Sequence, residues 1–190
     1  MNYRLRQAAN VLWQGGVIAY ATEGVWGLGC LPLERDAIHR ILAIKRRAVD
    51  KGLILIAASF DQLEPYLAPL PAANRKAMLA TWPGPVTWVA PAARWVPMDI
   101  TGGRSTVALR VSAHAGVQAL CRAADSPLIS TSANRSGRSP ARSLLETRLR
   151  FGMEVDAIVP GKVGDQTGPT EIRDALSGKI LRAAARGNSA

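Results

Sequence analysis

The chain predicts an α/β fold, a mixed parallel and antiparallel sheet with helices packed against it. Three observations carry this. Short apolar runs of strand length recur along the chain, stretches with apolar residues at helical spacing fall between them, and glycine or proline turns separate the two. No internal repeat or low-complexity linker interrupts the alternation.

In order, MNYRLRQAANVLWQGG opens the chain as an amphipathic helix and not as a signal peptide. GGVIAYATEG is then a glycine turn, a short buried strand and a loop opening at Thr22, and VWGLGC is a second extended run. Residues 34–45 read as a helix because Ala37, Ile38, Ile41, Leu42 and Ile44 keep helical spacing. A basic loop, KRRAVDKG, leads into the core strand LILIAAS. Helical candidates follow at 61–66 and 72–80. In WPGPVTWVAPA, Pro83 and Pro85 then restrict the approach to another strand. STVALRVS and SPLIST are strands flanking the helix AGVQALCRAA. A helix at 144–151, the strand DAIVPG, the loop KVGDQTGPT and the extended pieces TEIRD and KILRA complete the chain.

Composition bounds the function. With 190 residues, 48% hydrophobic and 20% charged, the chain can bury one core, so a single domain over 1–190 is expected. No window approaches ~18 uninterrupted apolar residues, the length a membrane helix needs, and the expected location is the cytoplasm. Cys30 and Cys121 lie far apart without a CxxC, and His39 and His114 are the only histidines. That is too little for a zinc site or a disulfide framework. Both histidines read as surface or capping residues. The 24 Lys and Arg against 14 Asp and Glu give a net charge of +10, and most of the cations are arginine. Arginine offers a planar fork for phosphate or carboxylate, so an anionic ligand, a nucleic acid or a solvated basic face would each explain it.

Familiar nucleotide and hydrolase motifs are absent. Neither Gly161-Lys162 nor Gly178-Lys179 has the spacing of a P-loop, the GLG at 27–29 does not extend to GxGxxG, and there is no GxSxG. Polar residues instead fall where loops leave strand ends, the usual place for ligands in such folds. Thr22 follows VIAY, Arg110 lies in VALRV, Ser130 to Asn134 follow PLI, and Thr170 opens TEIRD. Taken singly, each Ser, Thr or Asn reads equally as a helix cap or a turn residue.

Together, YATEGVWGLGC, IKRRAVDKGLILIA, STVALRV, STSANRSG and GPTEI…ILR resemble the ordered motifs of threonylcarbamoyl-AMP synthases. The resemblance is closest to the short, single-domain YrdC-type form and covers about residues 3–184. It implies a twisted mixed sheet around a concave basic cavity. The implied reaction joins ATP, L-threonine and bicarbonate into L-threonylcarbamoyl-AMP with release of pyrophosphate. That product serves the tRNA threonylcarbamoyl transferase proteins, which modify the adenosine next to the anticodon in tRNAs reading ANN codons.

The family's KxR matches Lys45 and Arg47, implied to be catalytic and to hold the ATP phosphates. Alone, KRR would merely complement a helix C-terminus. Lys51 adds to the same field. The family's SxN matches Ser132 and Asn134, whose small polar groups suit phosphate oxygens, with Thr106 and Arg182 completing the ATP site. Thr22, Arg110, Ser130 and Thr170 match the L-threonine site, with Arg110 pairing the carboxylate. A carbamate formed from amine and bicarbonate is itself the nucleophile, so catalysis is positioning and charge stabilisation. A magnesium ion bridging the phosphates is expected, held by ATP and water with no protein ligand assigned. Three positions depart from the pattern the resemblance implies: Ala48 replaces a proline, which loosens the backbone after KxR, while Gly24 in place of a threonine and Trp26 in place of a Tyr or Phe would together reshape the amino-acid pocket and bear on its preference for threonine. The alternative is a basic module that holds tRNA or ribosomal RNA precursor without catalysis, against which 5% aromatics provide few stacking groups. A third reading is a carbamoyl-adenylate enzyme acting on a different amine.

Overall fold

The computed structural model describes residues 3–166, 168 and 170–184. Met1 and Asn2 of the expected first helix, Thr167 and Pro169 of the expected loop, and the tail from 185 lie outside the described residues. The helices are α1 (Tyr3–Trp13), α2 (Arg35–Lys45), α3 (Ala72–Leu79), α4 (Met98–Thr101), α5 (Ala115–Ala123) and α6 (Leu144–Phe151). The strands are β1 (Ile18–Ala21), β2 (Trp26–Gly29), β3 (Ile54–Ala57), β4 (Val86–Pro91), β5 (Thr106–Val111), β6 (Leu128–Ser132), β7 (Ala157–Val159), β8 (Glu171–Asp174) and β9 (Ile180–Arg182). They form one sheet in the order β7-β1-β2-β6-β3-β5-β4-β8-β9. The pairs β1/β7, β3/β5 and β4/β8 are parallel and the rest antiparallel, which is the mixed sheet the sequence predicts.

Two local differences have simple causes. The stretch after α2 is not all loop, because Val49–Lys51 makes a 3₁₀ turn ended by Gly52. Over 61–66 only Glu64–Tyr66 form a 3₁₀ turn, since the chain at Leu67 returns to extended backbone and bridges to Ala92. The four-residue α4 is too short to leave a periodic signal. The histidines behave as surface and capping groups. His39 Nε2 lies 3.2 Å from the Asp99 carboxylate, and His114 Nδ1 accepts from Val117 N–H at the start of α5.

The period of two in the strands sorts side chains onto two faces. Ala19 and Ala21 of β1 join the cluster built on Ile38 and Ile41 of α2, with Leu55 and Leu109. Ile18 and Tyr20 face the other way, against Leu12 of α1 and Leu120 of α5. Burying a side chain such as Leu12 or Leu120 stabilises the fold by about 1.5–3 kcal/mol. The second face is only partly covered by α1 and α5. The pairings Gly27↔Ser132, Ile54↔Ser130 and Ile56↔Arg110 carry that face across β2, β6, β3 and β5, with Ile56 still packed under α5 and Gly27, Ile54, Ser130, Ser132 and Arg110 facing the space beyond the two helices. The uncovered part is the floor of a cavity.

Candidate active site

The cavity has a volume of about 650 Å³. Of the residues the sequence singled out, Thr22, Arg47, Arg110, Ser130, Ser132, Asn134, Thr170 and Arg182 line it. Lys45, Lys51 and Thr106 are not in the lining. Thr106 begins β5 four residues from Arg110 and on the same side of that strand, opposite Pro91 of β4. Lys51 ends an exposed 3₁₀ turn.

Lys45 is buried behind the wall. It ends α2, and Arg46 follows at φ 50°, a left-handed conformation that costs a non-glycine residue roughly 1–2 kcal/mol. That turn separates the directions of Lys45 and Arg47. The Lys45 ammonium donates to Ser132 O, to Asn134 O at 2.9 Å and to Asn134 Oδ1 at 3.1 Å. Ser132 Oγ donates to the same Oδ1 at 2.6 Å, and Asn134 Nδ2 donates to the carbonyls of Arg135 and Arg138. Ser136 N–H donates back to the Lys45 carbonyl at 2.7 Å. The KxR lysine and the SxN loop therefore form one interlocked unit. Burial first, and the charge of Arg47 second, push the Lys45 pKa down to about 8.

Arg47 reaches into the cavity and donates to Gly52 O at 3.0 Å, while its buried Nε has no partner among the described residues. Burial, together with the nearby Arg104, holds its pKa below the ordinary arginine value, with Asp50 opposing. At the other end Arg110, 6% exposed, donates to Thr170 Oγ1 at 2.9 Å and to Glu23 Oε2 at 3.2 Å. Glu23 Oε1 accepts from Ser112 Oγ at 2.6 Å, so the carboxylate is fully engaged in orienting Arg110. Arg182 Nη2 donates to the Thr170 carbonyl at 2.8 Å, which makes Thr170 a bridge between two arginines.

Arg142 also lines the cavity, a residue the sequence analysis did not single out. Glu23 was missed as well, although it sits between two residues the sequence did single out. The described lining thus holds Arg47, Arg110, Arg142 and Arg182, and neither Asp nor Glu. A low-dielectric wall of one sign, with small hydroxyls between the cations, suits a ligand carrying several negative charges. Among the described residues no group of three or more His, Cys, Asp or Glu could hold a metal ion. Cys30 and Cys121 are buried thiols, and burial pushes Cys121 up to about 12, so no thiolate nucleophile is on offer. No helix among the described residues is long and apolar enough to cross a membrane.

Residues 10–184 match the profile of the Sua5/YciO/YrdC family, described as "Telomere recombination". The chain is 54% identical over 180 residues to a threonylcarbamoyl-AMP synthase of Halorhodospira halophila, covering 95% of this chain and 94% of that one. It is 52% identical over 181 residues to a threonylcarbamoyl-AMP synthase of Nitrosococcus oceani, covering 95% and 98%. A crystal structure of P. abyssi Sua5 complexed with L-threonine superposes with a TM-score of 0.87 at 33% identity. That match covers 94% of this chain but only 53% of the longer Sua5 chain. E. coli YciO superposes with a TM-score of 0.83 at 25% identity, covering 95% and 89%. With a profile match from residue 10 to 184 and relatives more than half identical along nearly their whole length, the chain belongs to the Sua5/YciO/YrdC family.

Proposed function

We propose that the protein is an L-threonylcarbamoyl-AMP synthase. It joins L-threonine, bicarbonate and ATP, releases pyrophosphate, and so provides the donor for threonylcarbamoyl modification of tRNAs reading ANN codons. The observation that carries this reading is the cavity wall, which among the described residues holds four arginines and no carboxylate around one space. The threonylcarbamoyl-AMP synthase relatives and the L-threonine complex of Sua5 support it.

In this reading the substrates lie between the two ends of the cavity. The carboxylate of L-threonine pairs with Arg110, held ready by Glu23, while Thr22, Ser130 and Thr170 surround the rest of the amino acid. The phosphates of ATP lie against Arg47, Ser132 and Arg182, with Asn134 and Lys45 fixing the loop and supplying positive charge from behind it. Thr106 and Lys51 contribute from outside the lining. The amine attacks bicarbonate and water leaves, giving a carbamate. A carbamate oxygen attacks the α-phosphorus, and the bond to the β,γ-phosphates breaks with its electron pair going to pyrophosphate. The arginines stabilise the charge that gathers there. Magnesium would neutralise phosphate charge and arrive with ATP, coordinated by its oxygens and water, because the described lining offers no carboxylate to hold it. The adenylate passes to the tRNA threonylcarbamoyl transferase proteins, and the basic surface allows direct contact with tRNA.

The test is pyrophosphate release from ATP, bicarbonate and magnesium, comparing L-threonine, L-serine and no amino acid. Release that depends on L-threonine is expected. No amino-acid-dependent release would overturn the reading and leave the RNA-binding module in its place.

A further inference from the structure

Gly24 lies in the turn between β1 and β2, and a second stretch of backbone packs directly against it. The segment after Pro160 crosses the turn at Thr22–Gly24 with two main-chain bonds, Gly164 N–H to Thr22 O at 2.9 Å and Gln166 N–H to Glu23 O at 3.0 Å. Upstream, His114 Nε2 lies 2.9 Å from Lys162 O. With Nδ1 accepting from Val117, the neutral Nε2–H tautomer serves both contacts. Downstream, Thr170 is gripped by Arg110 and Arg182.

The two backbones approach this closely because both facing residues are glycines. A Cβ on Gly24 would stand 2.7 Å from Gln166 O and 3.2 Å from Gly168 O. A Cβ on Gly164 would stand 2.7 Å from Glu23 O. Neither obstacle is a side chain that could swing away, so a methyl group on either side must push the crossing segment off the turn. Gly24, Gly168 and Thr170 line the same cavity as Arg110 and Thr22. The Glu23 whose carbonyl receives Gln166 is also the residue whose carboxylate orients Arg110.

Resting on the synthase reading, we propose that residues 162–166 and Gly168 form a main-chain strap over the amino-acid pocket. Gly24 and Gly164 are then specificity-determining residues. The strap fills the space that a side chain at 24 would occupy, and its position sets how well the pocket holds L-threonine against L-serine. Displacing it shifts Glu23, and with it Arg110, while leaving Arg47 and the SxN loop in place.

The experiment compares wild type, Gly24→Ala and Gly164→Ala in pyrophosphate release, with hydrogen exchange of the Gly164 and Gln166 amides read alongside. In the variants the KM for L-threonine rises about tenfold and the preference over L-serine shrinks, while the KM for ATP stays within about twofold. In wild type the two amides are protected, and more so with L-threonine; in the variants that protection is lost. A wild type without threonine-dependent release refutes the synthase reading and the strap with it. A working wild type beside variants with unchanged KM for L-threonine refutes the strap alone, as does wild-type exchange at both amides at the rate of a free chain with L-threonine saturating. Should one variant fail to fold, the other and the wild-type exchange still decide.

Discussion

Raising the pH through 8 should loosen the grip on ATP by an amount that Lys45 sets. The residue is 3% exposed, and its ammonium donates to three oxygens of the SxN loop. With a pKa of about 8, roughly nine-tenths of the molecules carry the proton at pH 7 and roughly one-tenth at pH 9. The neutral amine has one donor fewer and no charge behind the loop. If tight binding belongs to the protonated form, the apparent Kd for ATP rises about tenfold between pH 7 and pH 9. Calorimetric titration with ATP and no amino acid reads this directly, because the substrate amine then plays no part. Lys45→Arg, charged throughout, should give a flat profile.

The fold responds in the opposite sense. The folded pKa lies below the ordinary 10.5, so burial of the charge costs about 3 kcal/mol at neutral pH. That cost is relieved as pH rises from about 8 to 10.5, a window in which the unfolded chain binds more protons than the folded one. The difference in urea midpoint between wild type and Lys45→Met isolates it. Wild-type ATP affinity constant from pH 7 to 9 would refute the reasoning.

Two further substitutions test separate parts of the site. Arg46→Gly removes the left-handed strain at the end of α2 and should raise stability by about 1 kcal/mol in urea unfolding, with pyrophosphate release unchanged. Glu23→Gln keeps the volume but weakens the hold on Arg110, and should raise the KM for L-threonine about tenfold while leaving that for ATP within about twofold.

Much of this was legible before the structure because it is local. Helical spacing from Ala37 to Ile44 marked α2, and the KRR at its end could be placed beside it; strand-length runs marked β3, β5 and β6. The partnerships were not local. Lys45 meets Asn134 across 89 residues and Arg110 meets Glu23 across 87, because β6 enters the sheet between β2 and β3. No periodicity in either segment encodes that order. The same distance explains why the hold of Lys45 on the SxN loop could not be read from either segment alone. Gly24 stood out only as a departure from a motif and Gly164 not at all, because what matters at both is an absent side chain, visible only against the backbone it admits.

Arg110 stands between Leu109, fully buried, and Val111, 3% exposed. A strand shows its neighbours to opposite sides, so the reactive wall and the apolar interior are written in alternate letters of one word. A lineage that trims Leu109 to save or spend stability also moves the guanidinium next to it, and one that retunes Arg110 disturbs what lies beneath. Robustness and substrate choice in this protein therefore drift together, and a survey of tolerated mutations along β5 should find few that alter one without the other.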